Sequence, residues 1–157
     1  TGHSLIKAKM AETGAPLAGE MSGHIFFADR YHGYDDALYA AVRMLGVISD
    51  EGQSLAELRA SLPQRVNTPE LRFPCGDDVK FDTIEAVRQQ LSDDGANVDA
   101  MDGVRVNTSD GWWLLRASNT QPVMVARCEA KNEDGLKRLK DDLRVRLKIT
   151  GIEPPDF

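Results

Sequence analysis

The spacing of apolar residues switches repeatedly between a helical and a strand-like period along this chain. Residues 1–12 read as a short amphipathic helix, and 15–18 with 24–28 as short strands flanking a glycine-bounded loop. Asp35 and Asp36 open a helix that runs to about Ile48, with Leu38, Ala41, Val42 and Leu45 on one face. Acidic residues in its first turn suit the helix dipole. A shorter helix over 55–62 stops before Pro63. It lies in a stretch, 52–64, that reads as a linker with a boundary near residue 65.

Beyond that boundary the pattern predicts one α+β unit. A strand at 70–73 precedes a helix over 80–91 that buries Phe81, Ile84, Val87 and Leu91. Strands follow at 96–101, 104–107, 112–116 and 122–130, with Asp-Gly turns at 102–103 and 110–111. Trp112 and Trp113 alternate across one strand, so one is core and the other partly exposed. Asn132 caps a last helix whose apolar stripe is Leu136, Leu139, Leu143 and Leu147. The order β-α-β-β-β-α predicts a mostly antiparallel sheet with two helices on one face. Residues 151–157 read as a mobile tail. The first part offers too few strands to bury its own helix faces. The fold class is therefore a partial α/β domain, 1–64, followed by a complete α+β domain, 65–157.

Composition adds little to this picture and removes several alternatives. At 41% hydrophobic and 28% charged residues the chain suits a globular protein. A net charge of −6 and no long basic cluster argue against a nucleic-acid partner. No apolar run reaches the length of a membrane span, and no signal peptide is visible. Cys75 and Cys128 lack metal-type spacing and read as two reduced thiols, which with the rest points to the cytoplasm.

Two segments concentrate chemistry. Arg116-Ala117-Ser118-Asn119-Thr120-Gln121-Pro122 packs a cation, two hydroxyls and an amide ahead of a proline. A guanidinium can grip two phosphate oxygens, and hydroxyls with the N–H groups of a tight turn can take others. A polar hairpin with an incidental arginine is the alternative reading. Gly19-Glu20-Met21-Ser22-Gly23-His24 offers a carboxylate, a hydroxyl and an imidazole. In an extended loop Glu20 and Ser22 project to the same side and could read sugar hydroxyls. A solvated surface turn is the alternative there. Together the segments describe a hexose phosphate as ligand. His24 and His3 are the candidate proton carriers, because imidazole titrates near the working pH. His32 reads as a surface or packing residue, and Lys7, which could add positive charge, reads as a solvated helix lysine.

GEMSGH at 19–24, RASNTQP at 116–122 and TGHSLIK at 1–7 resemble the α-D-phosphohexomutases, in the bacterial phosphomannomutase/phosphoglucomutase branch. HIFFADRYHGYDDALYAA at 24–41 and DGVRV at 102–106 extend the likeness over nearly the whole chain. Gln121 departs from the glutamate frequent in that family. The resemblance implies interconversion of mannose or glucose 1- and 6-phosphates through a phosphoserine and a hexose 1,6-bisphosphate, with magnesium. It implies sugar contacts from Glu20 and Ser22, and phosphate contacts from Arg116, Ser118, Asn119 and Thr120. It also implies that the serine and the metal loop lie in upstream domains, so that this chain, the end of domain three with domain four, is expected to hold no metal ligand and to be inactive alone. A stand-alone, non-catalytic phosphosugar-binding module is the rival reading.

Overall fold

A computed structural model describes residues 2–154. They fall into two compact units, divided between Pro63 and Gln64. The first contains α1 (His3–Thr13), β1 (Leu17–Gly19), β2 (Ile25–Phe27), α2 (Ala37–Glu51) and α3 (Leu55–Ser61). β1 and β2 form an antiparallel hairpin with Leu17 opposite Phe27. Ser54 caps α3 by accepting from the Glu57 N–H, and the Glu57 carboxylate accepts in return from the Ser54 N–H.

This first unit has almost no core. Met10 and Phe26 are its buried apolar residues. α2 carries the expected apolar stripe, yet Leu38 is 82% exposed and Leu45 66%. The period of the sequence made this face, and nothing among the described residues covers it. α1 buries only Met10, so it is not the amphipathic helix its pattern suggests.

The second unit holds the hydrophobic core. Its elements are β3 (Val66–Asn67), β4 (Leu71–Pro74), α4 (Lys80–Asp93), β5 (Val98–Asp99), β6 (Val104–Asn107), β7 (Gly111–Ala117), β8 (Val123–Ala130) and α5 (Glu133–Ile149). Every strand pair is antiparallel, in the order β3/β4-β8-β7-β6-β5. Both β3 and β4 pair with β8, and their register slips by one residue across 68–70. Thr68 bridges the slip: its N–H donates to the Cys128 carbonyl and its Oγ1 accepts from the Cys128 N–H. Sequence reading missed β3 because Pro69 interrupts the run.

One face of the sheet is buried under α4 and α5, which also touch each other. Trp113, Leu115, Met124, Ala126 and Cys128 point into that layer and meet Val87, Leu91, Leu139, Leu143 and Leu147. Asn132 caps α5 by accepting from the Gly135 N–H at 2.9 Å. Trp112 faces the other way, with the Arg105 guanidinium 4.5 Å above its ring. Both cysteines are free and buried; burial pushes the Cys128 thiol up to about 12, so it stays an inert core residue.

Three expectations need correction. The strand expected at 96–101 shrinks to Val98–Asp99. Residues 151–152 do not trail away: the Ile152 N–H donates to the Leu147 carbonyl and its side chain packs on the core, while 155–157 lie outside the described residues. In α4 the buried set is Lys80, Thr83, Val87 and Leu91, and Phe81 is 54% exposed. Val87 and Leu91 are buried and Ile84 packs on the core as expected; only Phe81 gives way, to Lys80 and Thr83.

The imbalance between the units has a measurable consequence. Amides of β7, β8 and α5 are expected to exchange hydrogen only on global unfolding, whereas α2 exchanges by local opening. Equal protection in both units would contradict it.

Candidate functional site

In the first unit the candidate site is a hairpin turn. Gly19 pairs with Ile25, and the chain reverses through residues 20–23. The Glu20 N–H donates to the His24 carbonyl at 2.9 Å, and the Gly23 N–H to the Glu20 carbonyl at 3.0 Å. Gly23 takes a φ of 91° there, a left-handed value that any other residue adopts at a cost of about 1–2 kcal/mol. The segment is therefore not extended, and spacing alone does not put Glu20 and Ser22 on one side. Ser22 is exposed. Glu20 is half-buried, and its Oε1 is shielded from solvent without a hydrogen-bond partner. A desolvated carboxylate oxygen lacking a donor is unfavourable, so a turn of the side chain outward to a ligand hydroxyl is rewarded.

His24 leaves the turn at the start of β2. Its Nδ1–H donates to Asp35 Oδ2 at 2.7 Å, and the Ile25 N–H donates to Asp35 Oδ1 at 3.2 Å. Both carboxylate oxygens are thus fixed. The hydrogen bond from His24, with that from Ile25, holds the Asp35 carboxyl below the usual carboxylate range. An ionised carboxylate can only accept, so the neutral imidazole carries its proton on Nδ1 and its lone pair on Nε2. His3, exposed on α1, stands edge-on to His24 with ring centroids 4.7 Å apart. Its Nε2 is 3.7 Å from the same Asp35 oxygen. His32 is exposed and stacks on Tyr34, away from this group.

Asp35 was missed because the Asp35-Asp36 pair read as the start of a helix. Only Asp36 is the cap, accepting from the Tyr39 N–H at 2.9 Å, and α2 has no acid in its first turn. Two adjacent residues cannot both cap one helix, and that leaves Asp35 for another partner.

In the second unit Arg116 sits near the end of β7, opposite Val125, on the face turned away from α4 and α5. It is half-buried, and its guanidinium has no acidic partner among the described residues. Gly103, at a φ of 78°, lets the β5–β6 side of the sheet pass close by: a Cβ there would lie 2.6 Å from Arg116 Cβ. The loop that follows folds on itself. Ser118 is buried; its Oγ accepts from the Thr120 and Gln121 N–H groups at 3.3 and 3.2 Å, and its own N–H donates to the Val123 carbonyl. Two turn N–H groups expected to face a ligand are therefore occupied by the serine. Asn119 and Thr120 are exposed. Gln121 Oε1 accepts from Arg72 Nη2, so the glutamine keeps the loop tied to β4 without a charge of its own. Arg72 carried no sequence signal.

Comparisons with known proteins identify the family of the chain. Residues 1–66 match the family model for phosphoglucomutase/phosphomannomutase, alpha/beta/alpha domain III, and residues 70–145 that for the C-terminal domain. The chain belongs to the phosphoglucomutase/phosphomannomutase family. It is 48% identical over 94% of its length to a phosphomannomutase/phosphoglucomutase of Pseudomonas putida, and 47% identical over 99% to one of Pseudomonas aeruginosa. It spans about a third of those relatives, 32% and 34% of their lengths. A crystal structure of a phosphoglucomutase/phosphomannomutase family protein from Burkholderia thailandensis matches 99% of this chain with 46% identity and a TM-score of 0.84, over 32% of its own length.

Proposed function

We propose that this chain supplies the sugar-reading and phosphate-holding walls of a phosphohexomutase, an isomerase acting on mannose and glucose phosphates. Arg116 grips the non-reacting phosphate, helped by the Asn119 and Thr120 side chains and by the Ser118 hydroxyl proton. Glu20 accepts from sugar hydroxyls, with Ser22 beside it on the turn. His24 moves the proton: as a sugar hydroxyl attacks a phosphoserine and the serine O–P bond breaks, Nε2 takes the hydroxyl hydrogen; when the serine oxygen takes back the phosphoryl group at the other end of the sugar, that sugar O–P bond breaks and Nε2 returns the hydrogen to the sugar oxygen. His3 is the alternative carrier if His24 only positions.

The observation that carries this reading is one hairpin turn holding both a carboxylate oxygen without a donor and an imidazole whose tautomer is fixed. His3, His24 and Asp35 offer ligand atoms within 4.8 Å of one another, but two imidazoles and one carboxylate do not fit magnesium, which takes oxygen ligands in an octahedron. The ion, the serine and the 1,6-bisphosphate contacts would come from other parts of a longer polypeptide. No helix among the described residues is long and apolar enough to cross a membrane.

Arg116→Ala in the active enzyme tests the phosphate half. Loss of a charged hydrogen bond is expected to weaken hexose phosphate binding roughly ten- to hundredfold. Unchanged KM and kcat would remove Arg116 from the site.

A further inference from the structure

We propose that Lys80 is a positioning residue for the phosphate loop: it draws two loop carbonyls inward and thereby aims the Asn119 N–H outward at a bound phosphate. The inference rests on reading residues 116–121 as that loop.

Lys80 is the first residue of α4 and only 3% exposed. Its Nζ donates to the Ser118 carbonyl at 2.6 Å and the Gln121 carbonyl at 3.1 Å, and lies 2.5 Å from Asp77 Oδ1. Three ammonium hydrogens meet three acceptors. A leucine or methionine on this helix face would cover the sheet without desolvating a charge. What the lysine adds is a grip on the loop's backbone.

The consequence follows from the planar trans peptide. The Ser118 C=O and the Asn119 N–H belong to one rigid unit and point in opposite directions. With the carbonyl held by Lys80, that N–H faces away from the core. It meets no acceptor among the described residues, whereas the N–H groups of Ser118, Thr120 and Gln121 are all bound within the protein. Asn119 therefore contributes the loop's outward backbone donor, beside its own exposed side chain. The Gln121 carbonyl accepts both from Lys80 and from the Val123 N–H at 2.8 Å. Its peptide partner is Pro122, which has no N–H to orient, so the second grip fixes the loop without spoiling a donor. Asp77 neutralises the buried ammonium, so what Lys80 gives the loop is the fixed direction of its carbonyls rather than net charge.

The test is a titration with inorganic phosphate, followed by amide NMR, on the full chain and on Lys80→Met. In the unsubstituted chain the Asn119 amide is expected to shift most among residues 116–121. In Lys80→Met it is expected to be displaced before phosphate is added and to lose its response, with phosphate affinity reduced roughly two- to tenfold, the range for one neutral donor. A purely structural lysine would lower thermal stability and leave the Asn119 response intact, and that result overturns the proposal. If Lys80→Met does not fold, the unsubstituted chain still decides: phosphate shifts elsewhere in the loop with a silent Asn119 amide also overturn it. No shift anywhere in 116–121 would instead remove the phosphate-loop reading, and the lysine's role with it.

Discussion

Replacing His24 by alanine in the active enzyme is expected to lower kcat by about 10²–10⁴-fold while changing KM far less, the usual weight of a general acid–base. Asp35→Asn tests the same proton with nearly the same shape. The asparagine carbonyl can still accept from the Ile25 N–H, which puts its NH₂ group against His24 Nδ1. Turning the amide over would set that NH₂ against the Ile25 N–H instead. His24 must then accept on Nδ1 and carry its proton on Nε2, so the lone pair that takes the substrate proton is lost. Ring ¹⁵N shifts are expected to report the opposite tautomer, with kcat reduced and KM little changed. An unchanged tautomer would show that Asp35 does not set it, and unchanged kcat in the presence of the inverted one would move proton transfer to His3 or beyond this chain.

The largest effect on stability is expected from Trp113→Ala. Trp113 is wholly buried at the centre of the sheet, and its indole N–H donates to Asp142 Oδ2 at 2.8 Å, joining β7 to α5. Truncation leaves a large cavity and removes the indole donor from Asp142 Oδ2, at about 3–5 kcal/mol. For a unit of this size that is a large share of total stability. Trp112→Ala, on the open face, is expected to cost far less. Denaturant unfolding of the two variants compares them directly; equal losses would mean that the core does not lie between β7 and α5.

The second unit was legible because its pattern is complete. Leucines at 136, 139, 143 and 147 define a helix face, and the strands at 104–107, 112–116 and 122–130 carry both their period and their turns. What failed there was local. A buried lysine defeats any rule that assigns charge to the surface, and in the first turn of α4 Lys80 takes the buried place expected of Phe81. The phosphate segment was visible as a cluster of donors, but not the way Ser118 binds two of the loop's own N–H groups. In the first unit the hydrophobic period found α2, while the site depended on tertiary contacts. The extended-loop argument for Glu20 and Ser22 gave way to a four-residue turn, and Asp35 gained meaning only through its 2.7 Å contact with His24. Residue chemistry located both loops; geometry decided which atoms in them remain available.

The most direct test of the account is phosphorus NMR of glucose 1-phosphate incubated with the complete translation product that carries this sequence, with magnesium and a trace of glucose 1,6-bisphosphate. Conversion to glucose 6-phosphate is expected, abolished or greatly slowed by Arg116→Ala and by His24→Ala, with no conversion by residues 1–157 alone. Conversion that survives both substitutions, or a folded complete protein that binds glucose 1-phosphate and never isomerises it, would contradict the account and leave a phosphosugar-binding module in its place.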